Sequence, residues 1–223
     1  MKNKTIRIII IVILIIILGF LVWGLSVSHL GQSDNRRATV ALYKGVALAK
    51  QGKYDEGINY LNKSIKINPN VSLAYYSRGA AYFDKKEYDN AISDFTKAYE
   101  ISPTYTDTLI MRGLAYVSKQ KYDEAEKDFT QAIKIHETPE AYNERGLIYI
   151  KKGESDKAIA DFTKSIEINS RFAFPYQWRA VSYFNNKEYN KAWEDQHRAE
   201  GLANYKPNEE FIAELKKESG RDK

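Results

Sequence analysis

Cysteine is absent from the 223-residue chain. That excludes a disulfide framework, thiolate zinc sites, a cysteine nucleophile and a lipoprotein cysteine. Histidine is scarce: only His29, His136 and His197 occur, and no two share the close spacing of a metal motif. The chain also lacks a G-x-S-x-G elbow, a phosphate-cradling G-x-x-x-x-G-K run and H-E-x-x-H. With no clustered nucleophile, base or ligand set, the expectation is a non-enzyme that uses no cofactor and no metal. A sustained charge of one sign is missing as well. The net charge is +5, but residues 1–37 carry five Lys+Arg against Asp34, a net of +4. Residues 38–223 keep 29 Lys+Arg and 28 Asp+Glu, a net of +1. A phosphate-tracking surface needs basic residues gathered on one face, so no nucleic-acid partner is expected.

What is present begins with an apolar run. Residues 8–28 contain no charge. At a helical rise of about 1.5 Å they would span about 31 Å, close to a bilayer hydrocarbon core of about 30 Å. Backbone groups in lipid must be satisfied within the segment, which predicts a transmembrane helix. The run exceeds the 7–15 residues usual for the core of a cleaved signal, so an uncleaved anchor is expected. Lys2, Lys4 and Arg7 crowd the near side. They place the N-terminus, residues 1–7, in the cytoplasm and the remainder of the chain outside it. Residues 29–37 are polar and read as a linker.

The remainder repeats itself. Gly45, Gly79, Gly113, Gly146 and Ala180 form one column, spaced 34, 34, 33 and 34 residues apart. Gly57, Ala91, Ala125, Ala158 and Ala192 form a second; Leu61, Phe95, Phe129, Phe162 and Gln196 a third; Ser64, Ala98, Ala132, Ser165 and Ala199 a fourth. Several columns with one period and one shared slip define internal repeats. Within each unit apolar residues recur at spacings of three and four, which predicts two helices. The small columns allow the helices to approach, and the aromatic columns fill the space around the contact. After Pro207, the residues Phe211, Ile212 and Leu215 share one helical face, as expected of a capping helix.

Units two to five each place an arginine just before the small column and an aspartate 16 residues later. The pairs are Arg78 and Asp94, Arg112 and Asp128, Arg145 and Asp161, and Arg179 and Asp195. The first unit has Lys44 and Tyr60 there, so both members are lost together. That predicts a structural ladder of ion pairs between helices.

The columns, notably Tyr75, Arg78-Gly79, Tyr82, Tyr88, Ala91, Phe95, Ala98 and Pro103 in the second unit, resemble the tetratricopeptide repeat family, of the membrane-anchored bacterial type. The resemblance covers 38–71, 72–105, 106–138, 139–172 and 173–206, with 207–223 as cap and tail. Ser155 stands where the family usually has tyrosine, and the end units depart furthest. The resemblance implies an all-α fold, a right-handed solenoid of helix pairs whose first helices line an inner groove. The candidate groove residues are Tyr76, Phe83 and Asp84 in the second unit, and Ile110 and Val117 in the third. Asn143 and Ile150 follow in the fourth, with Gln177, Phe184 and Asn185 in the fifth. A largely apolar groove with amides suits an extended peptide or partner helix. Leu42, Val46 and Ser77 occupy places where the family's chaperone-tail clamp carries Lys, Arg or Asn, so such a receptor is not expected. The functional expectation is a membrane-anchored adaptor for a protein or peptide. The alternative is an assembly factor of an envelope complex that acts through self-association as a homo-oligomer.

Overall fold

Among the residues described by the computed structural model, 33–203 and 205–220, the chain forms eleven helices and no strand. The expected membrane-spanning segment, 8–28, lies outside the described residues. Of those that are described, no helix is long and apolar enough to cross a membrane. The first helix, α1, runs through residues 33–50. It is followed by α2 (Tyr54–Ile67), α3 (Ser72–Asp84), α4 (Tyr88–Ile101), α5 (Thr106–Ser118) and α6 (Tyr122–Ile135). Then come α7 (Pro139–Lys151), α8 (Ser155–Ile168), α9 (Ala173–Asn185), α10 (Tyr189–Glu200) and α11 (Glu209–Ser219). Residues 33–37, expected in the linker, are instead part of α1. They are held there by an Arg37–Asp34 pair and by Asn68, whose side chain donates to Asn35 Oδ1 at 2.8 Å.

The chain divides into two compact units between Ala81 and Tyr82, inside α3. In the first unit Leu42, Leu61 and Ala74 make a small core, joined by Val46, Ile65 and Val71. The buried Ser64 hydroxyl donates to the Ala38 carbonyl at 2.9 Å, tying α2 to α1. Helices α1 and α2 approach so closely that a Cβ at Gly57 would lie 2.9 Å from the Gly45 carbonyl oxygen and 3.1 Å from the Ala49 nitrogen. This explains glycine at a position that is alanine in the other four units.

In the second unit each helix from α4 to α11 packs on the next in the chain, and the first helices α7 and α9 also meet. Phe129 and Phe162 are fully buried beneath Gly113 and Gly146. In the fifth helix pair Ala180 and Gln196 hold those registers, and both are buried. The cap α11 starts at Asn208, whose side chain accepts from the Phe211 N–H at 3.1 Å. Its Phe211, Ile212 and Leu215 pack on Ala180, Ala192 and Trp193.

The turn inside each repeat is the same Schellman-type closure. Gln120 N–H bonds the Val117 carbonyl at 2.8 Å and Lys121 N–H bonds the Tyr116 carbonyl at 2.9 Å. The turn residue is left-handed in every unit: Gly52, Lys86, Gln120, Gly153 and Lys187 have φ of 77°, 62°, 58°, 75° and 60°. Left-handed backbone costs a residue with a Cβ about 1–2 kcal/mol. Glycine avoids this but loses about 0.5–1 kcal/mol of chain entropy on folding. Gln120→Gly is therefore expected to raise stability by about 0.5 kcal/mol, read as a higher denaturant midpoint.

The one-residue slip in the period falls in the connector between α6 and α7, which has three residues where the other inter-repeat connectors have four. Thr138 caps α7 by accepting from the Ala141 N–H at 3.2 Å, with Pro139 in the first turn. The fourth unit lacks a proline before its successor, but Asn169 Oδ1 accepts from Arg171 N–H at 3.1 Å. Asn68 does the same for Asn70 at 3.0 Å, so the Asx turn serves with or without proline.

Candidate functional site

Two side-chain ladders fix the stacking of the second unit and define which face is left over. The first is built on arginine. Arg145 donates through Nε and Nη2 to the two Asp161 carboxylate oxygens at 2.7 and 2.8 Å. Arg112 with Asp128 and Arg179 with Asp195 repeat the fork. Each arginine spends its remaining Nη1 on the preceding repeat: Arg112 on Thr96, Arg145 on Thr130, Arg179 on Thr163, at 2.9–3.1 Å. One guanidinium thus joins three helices. In the first unit Arg78 donates to Asn62, which occupies the register of those threonines. Arg78 and Asp94 belong to one repeat, the second, but Arg78 lies in the first compact unit and Asp94, buried, in the second compact unit.

Burial pushes the Asp161 and Asp195 carboxyls above their usual range, with the guanidinium hydrogen bonds pulling the other way. The hydrogen bonds to Asp161 outweigh burial at Arg145 and hold its guanidinium above its ordinary value. Arginine is therefore the fixed charge of the pair and aspartate the member that titrates.

The second ladder was not anticipated. Lys119 at the end of α5 pairs with Asp89 at the start of α4, and Lys152 reaches both Asp123 and Glu126 at 2.5 and 2.6 Å. Asn186 donates to Asp156 at 2.8 Å in the same register. The two carboxylates hold Lys152 above its usual range. The aspartates also sit in the first turn of a second helix, where negative charge is favoured.

What remains is the face of the first helices. The candidate groove residues do not share one environment. Ile110 and Val117 are half-buried and pack on Phe129 and Ile148 with their neighbours. Asn143 is buried, at 4% exposure. Phe184 is half-buried and packs edge-on against Phe211 of the cap, 5.7 Å between ring centres, beside the buried cluster of Ala180, Ala192 and Trp193. Phe83 packs on Tyr88 at 5.5 Å. Ile150, Gln177 and, in the first unit, Tyr76 are half-buried; Asp84 and Asn185 are exposed.

Sequence reasoning missed part of the adjacent registers. Following α7 at spacings of three and four puts Glu140, Glu144 and Lys151 on one stripe with Leu147; on α9, Phe174 and Trp178 fall on one stripe with Val181. Phe174 is 52% exposed. The signal was available, since these positions share the helical face of Asn143 and Gln177. Among the described residues no group of three His, Cys, Asp or Glu side chains is placed to hold a metal ion.

Family models described as tetratricopeptide repeat match residues 72–105 and 139–172, and 106–138. One described as TPR repeat matches 45–85. No curated protein matches this chain. Among solved structures the chain is similar to MamA, at 26% identity and a TM-score of 0.65, covering 70% of this chain and 91% of MamA. It shares its fold with PilF of Pseudomonas aeruginosa, at 16% identity and a TM-score of 0.73, covering 83% and 85%. YrrB, described as a TPR protein with an unusual peptide-binding site, aligns at 21% identity and a TM-score of 0.64, covering 79% of this chain and 90% of YrrB. Together the family matches run from residue 45 to 172, more than half of the chain, and the chain belongs to the tetratricopeptide repeat family.

Proposed function

We propose that this chain is a membrane-anchored adaptor that holds a partner protein at the membrane by binding an extended segment on its first-helix face. The observation that carries the binding half is the contrast between two faces of the second unit. Second-helix carboxylates at Asp89, Asp123, Asp128, Asp161 and Asp195 are committed to structural pairs. The first-helix stripe instead presents Phe174 openly, beside half-buried Leu147, Trp178 and Val181. Apolar anchors of this kind supply most of the energy at protein interfaces. YrrB, which shares the fold, is described as having a peptide-binding site. The charge-free run at 8–28 supports the anchor, and the basic residues ahead of it support repeats that face away from the cytoplasm.

The test is crosslinking of the full chain in intact membranes followed by mass spectrometry, with Phe174→Ser plus Leu147→Ser as the groove variant. The expected result is loss of partner recovery by about tenfold or more, as for removal of interface anchors. Identical recovery would count against this face. Protease accessibility of the repeats in sealed vesicles tests the topology.

A second reading, self-association, is favoured by α1, where Val40 and Tyr43 are 62% and 64% exposed. A concentration-dependent mass of the full chain, abolished by Val40→Glu, would support it.

A further inference from the structure

The first-helix face of the second unit carries charge of one sign at one end. Asp107 on α5 and Glu140 on α7 are exposed at equivalent registers, and Glu144 follows one turn later. Among the described residues no cationic side chain pairs with any of the three, whereas Glu126, Asp128, Asp156 and Asp161 on the second helices are committed to lysine, arginine or asparagine. The one basic residue on the α7 stripe is Lys151, seven residues beyond Glu144 and so about 10 Å along the helix.

A second observation sits beside Glu144. The Asn143 amide is 4% exposed and donates through Nδ2 to Glu144 Oε1 at 3.1 Å. Its Oδ1 is buried and accepts no hydrogen bond. The Glu144 carboxylate thus takes one donor, from the amide, while the Asn143 oxygen beside it takes none. Burying the Asn143 oxygen without a partner is unfavourable, and the carboxylate beside it has no counter-charge, so the arrangement is complementary to a ligand that brings N–H donors and positive charge. Burial also pushes the Glu144 carboxyl above its usual range, against the pull of the Asn143 amide. A neighbouring cation would restore the ionised form.

We propose that Glu144 and Asn143 form a subsite for the ammonium group of a lysine in the bound segment. This rests on the first-helix face being the peptide-binding surface. An ammonium has three donors and matches two adjacent acceptors while leaving one for the peptide itself or water. Met111 on α5 and Trp178 on α9 hold the registers on either side of Glu144 and are half-buried. They suit the aliphatic stem of a lysine, and the Trp178 indole suits its charge. Asp107 and Glu140 extend the negative field and favour approach of basic segments. The partner is thus an extended peptide with apolar side chains and a lysine directed to the acidic end of the face.

The experiment uses the full chain and three immobilised libraries of randomised peptides that differ only at one fixed central residue: lysine, norleucine or glutamate. Retention of the lysine set about tenfold over the norleucine set is expected, the scale of one charge-assisted contact. The glutamate set should not be retained. Glu144→Gln is expected to abolish the lysine preference while the denaturant midpoint stays unchanged. Equal retention of lysine and norleucine sets, or a preference that survives Glu144→Gln, overturns the lysine subsite and leaves the peptide-binding face standing. Failure to retain any set overturns the peptide-binding reading itself, and the subsite with it.

Discussion

Arg145→Met is expected to destabilise the chain by about 3–5 kcal/mol at neutral pH, because it leaves a buried carboxylate without its counter-charge. Asp161 is only 7% exposed at its side chain, and Arg145 supplies both of its short hydrogen bonds. Thr130 loses its guanidinium contact in the same step. The loss depends on pH in a direction that can be worked out. In the native protein burial already raises the Asp161 carboxyl, and Arg145 is the cause that pulls it down. Removing arginine leaves burial unopposed, so the folded pKa rises further above the unfolded value of about 3.9. A group with a raised folded pKa contributes stability that is present below its unfolded pKa and lost as pH climbs through the folded one. The deficit of Arg145→Met should therefore be smallest near pH 4 and grow from there to neutral pH. Denaturant midpoints of the full chain across that range read it directly. The double variant Arg145→Met, Asp161→Leu should recover most of the loss, since an apolar pair carries no desolvation penalty. A deficit that is flat with pH, or no recovery in the double variant, would sink this account.

Periodicity reached the elements of this molecule because one packing solution recurs every 34 residues and leaves the same small, aromatic and charged columns each time. The arginine–aspartate register was legible for that reason. The threonine at the third corner of each rung was not seen, although Thr96, Thr130 and Thr163 obey the same period. Threonine is common and its chemistry is weak enough that a short column of it attracts no notice. The lysine–aspartate ladder was hidden differently: Lys119 and Asp89 lie 30 residues apart and on different repeats, so neither unit read alone contains the pair.

Burial along the first helices was the least legible property. Asn143 and Gln177 share a register and a side-chain type, yet one is buried and the other half-buried. The α7 amide turns onto Glu144, its neighbour in sequence, a choice no periodic pattern encodes. The contact of Phe184 with Phe211 was not legible because Phe211 lies in the cap and outside the repeat. The departures of the fifth repeat, alanine for glycine and glutamine for phenylalanine, fall on the two registers of one contact in the repeats before it. Both members of the Gly–Phe contact change together at Ala180 and Gln196, and Gln196 takes Tyr205 and Glu200 as hydrogen-bond partners.

That coupling sets the second large effect. Phe129→Ala empties a fully buried ring and is expected to cost about 4 kcal/mol. Gly113→Ala is expected to cost about 2 kcal/mol, because its Cβ would lie 2.6 Å from Phe129 Cε1 and 2.8 Å from Cζ. The ring cannot withdraw, since Ala125 and Ile148 pack in the same cluster. The two substitutions should not add. With the ring gone, the methyl group at position 113 enters vacant space and meets no clash, so the double variant should cost no more than Phe129→Ala alone. The coupling free energy in a double-mutant cycle should then be about 2 kcal/mol, well above the few tenths expected of independent sites. Additive losses would mean that the glycine column is maintained by backbone conformation and not by the aromatic column beneath it.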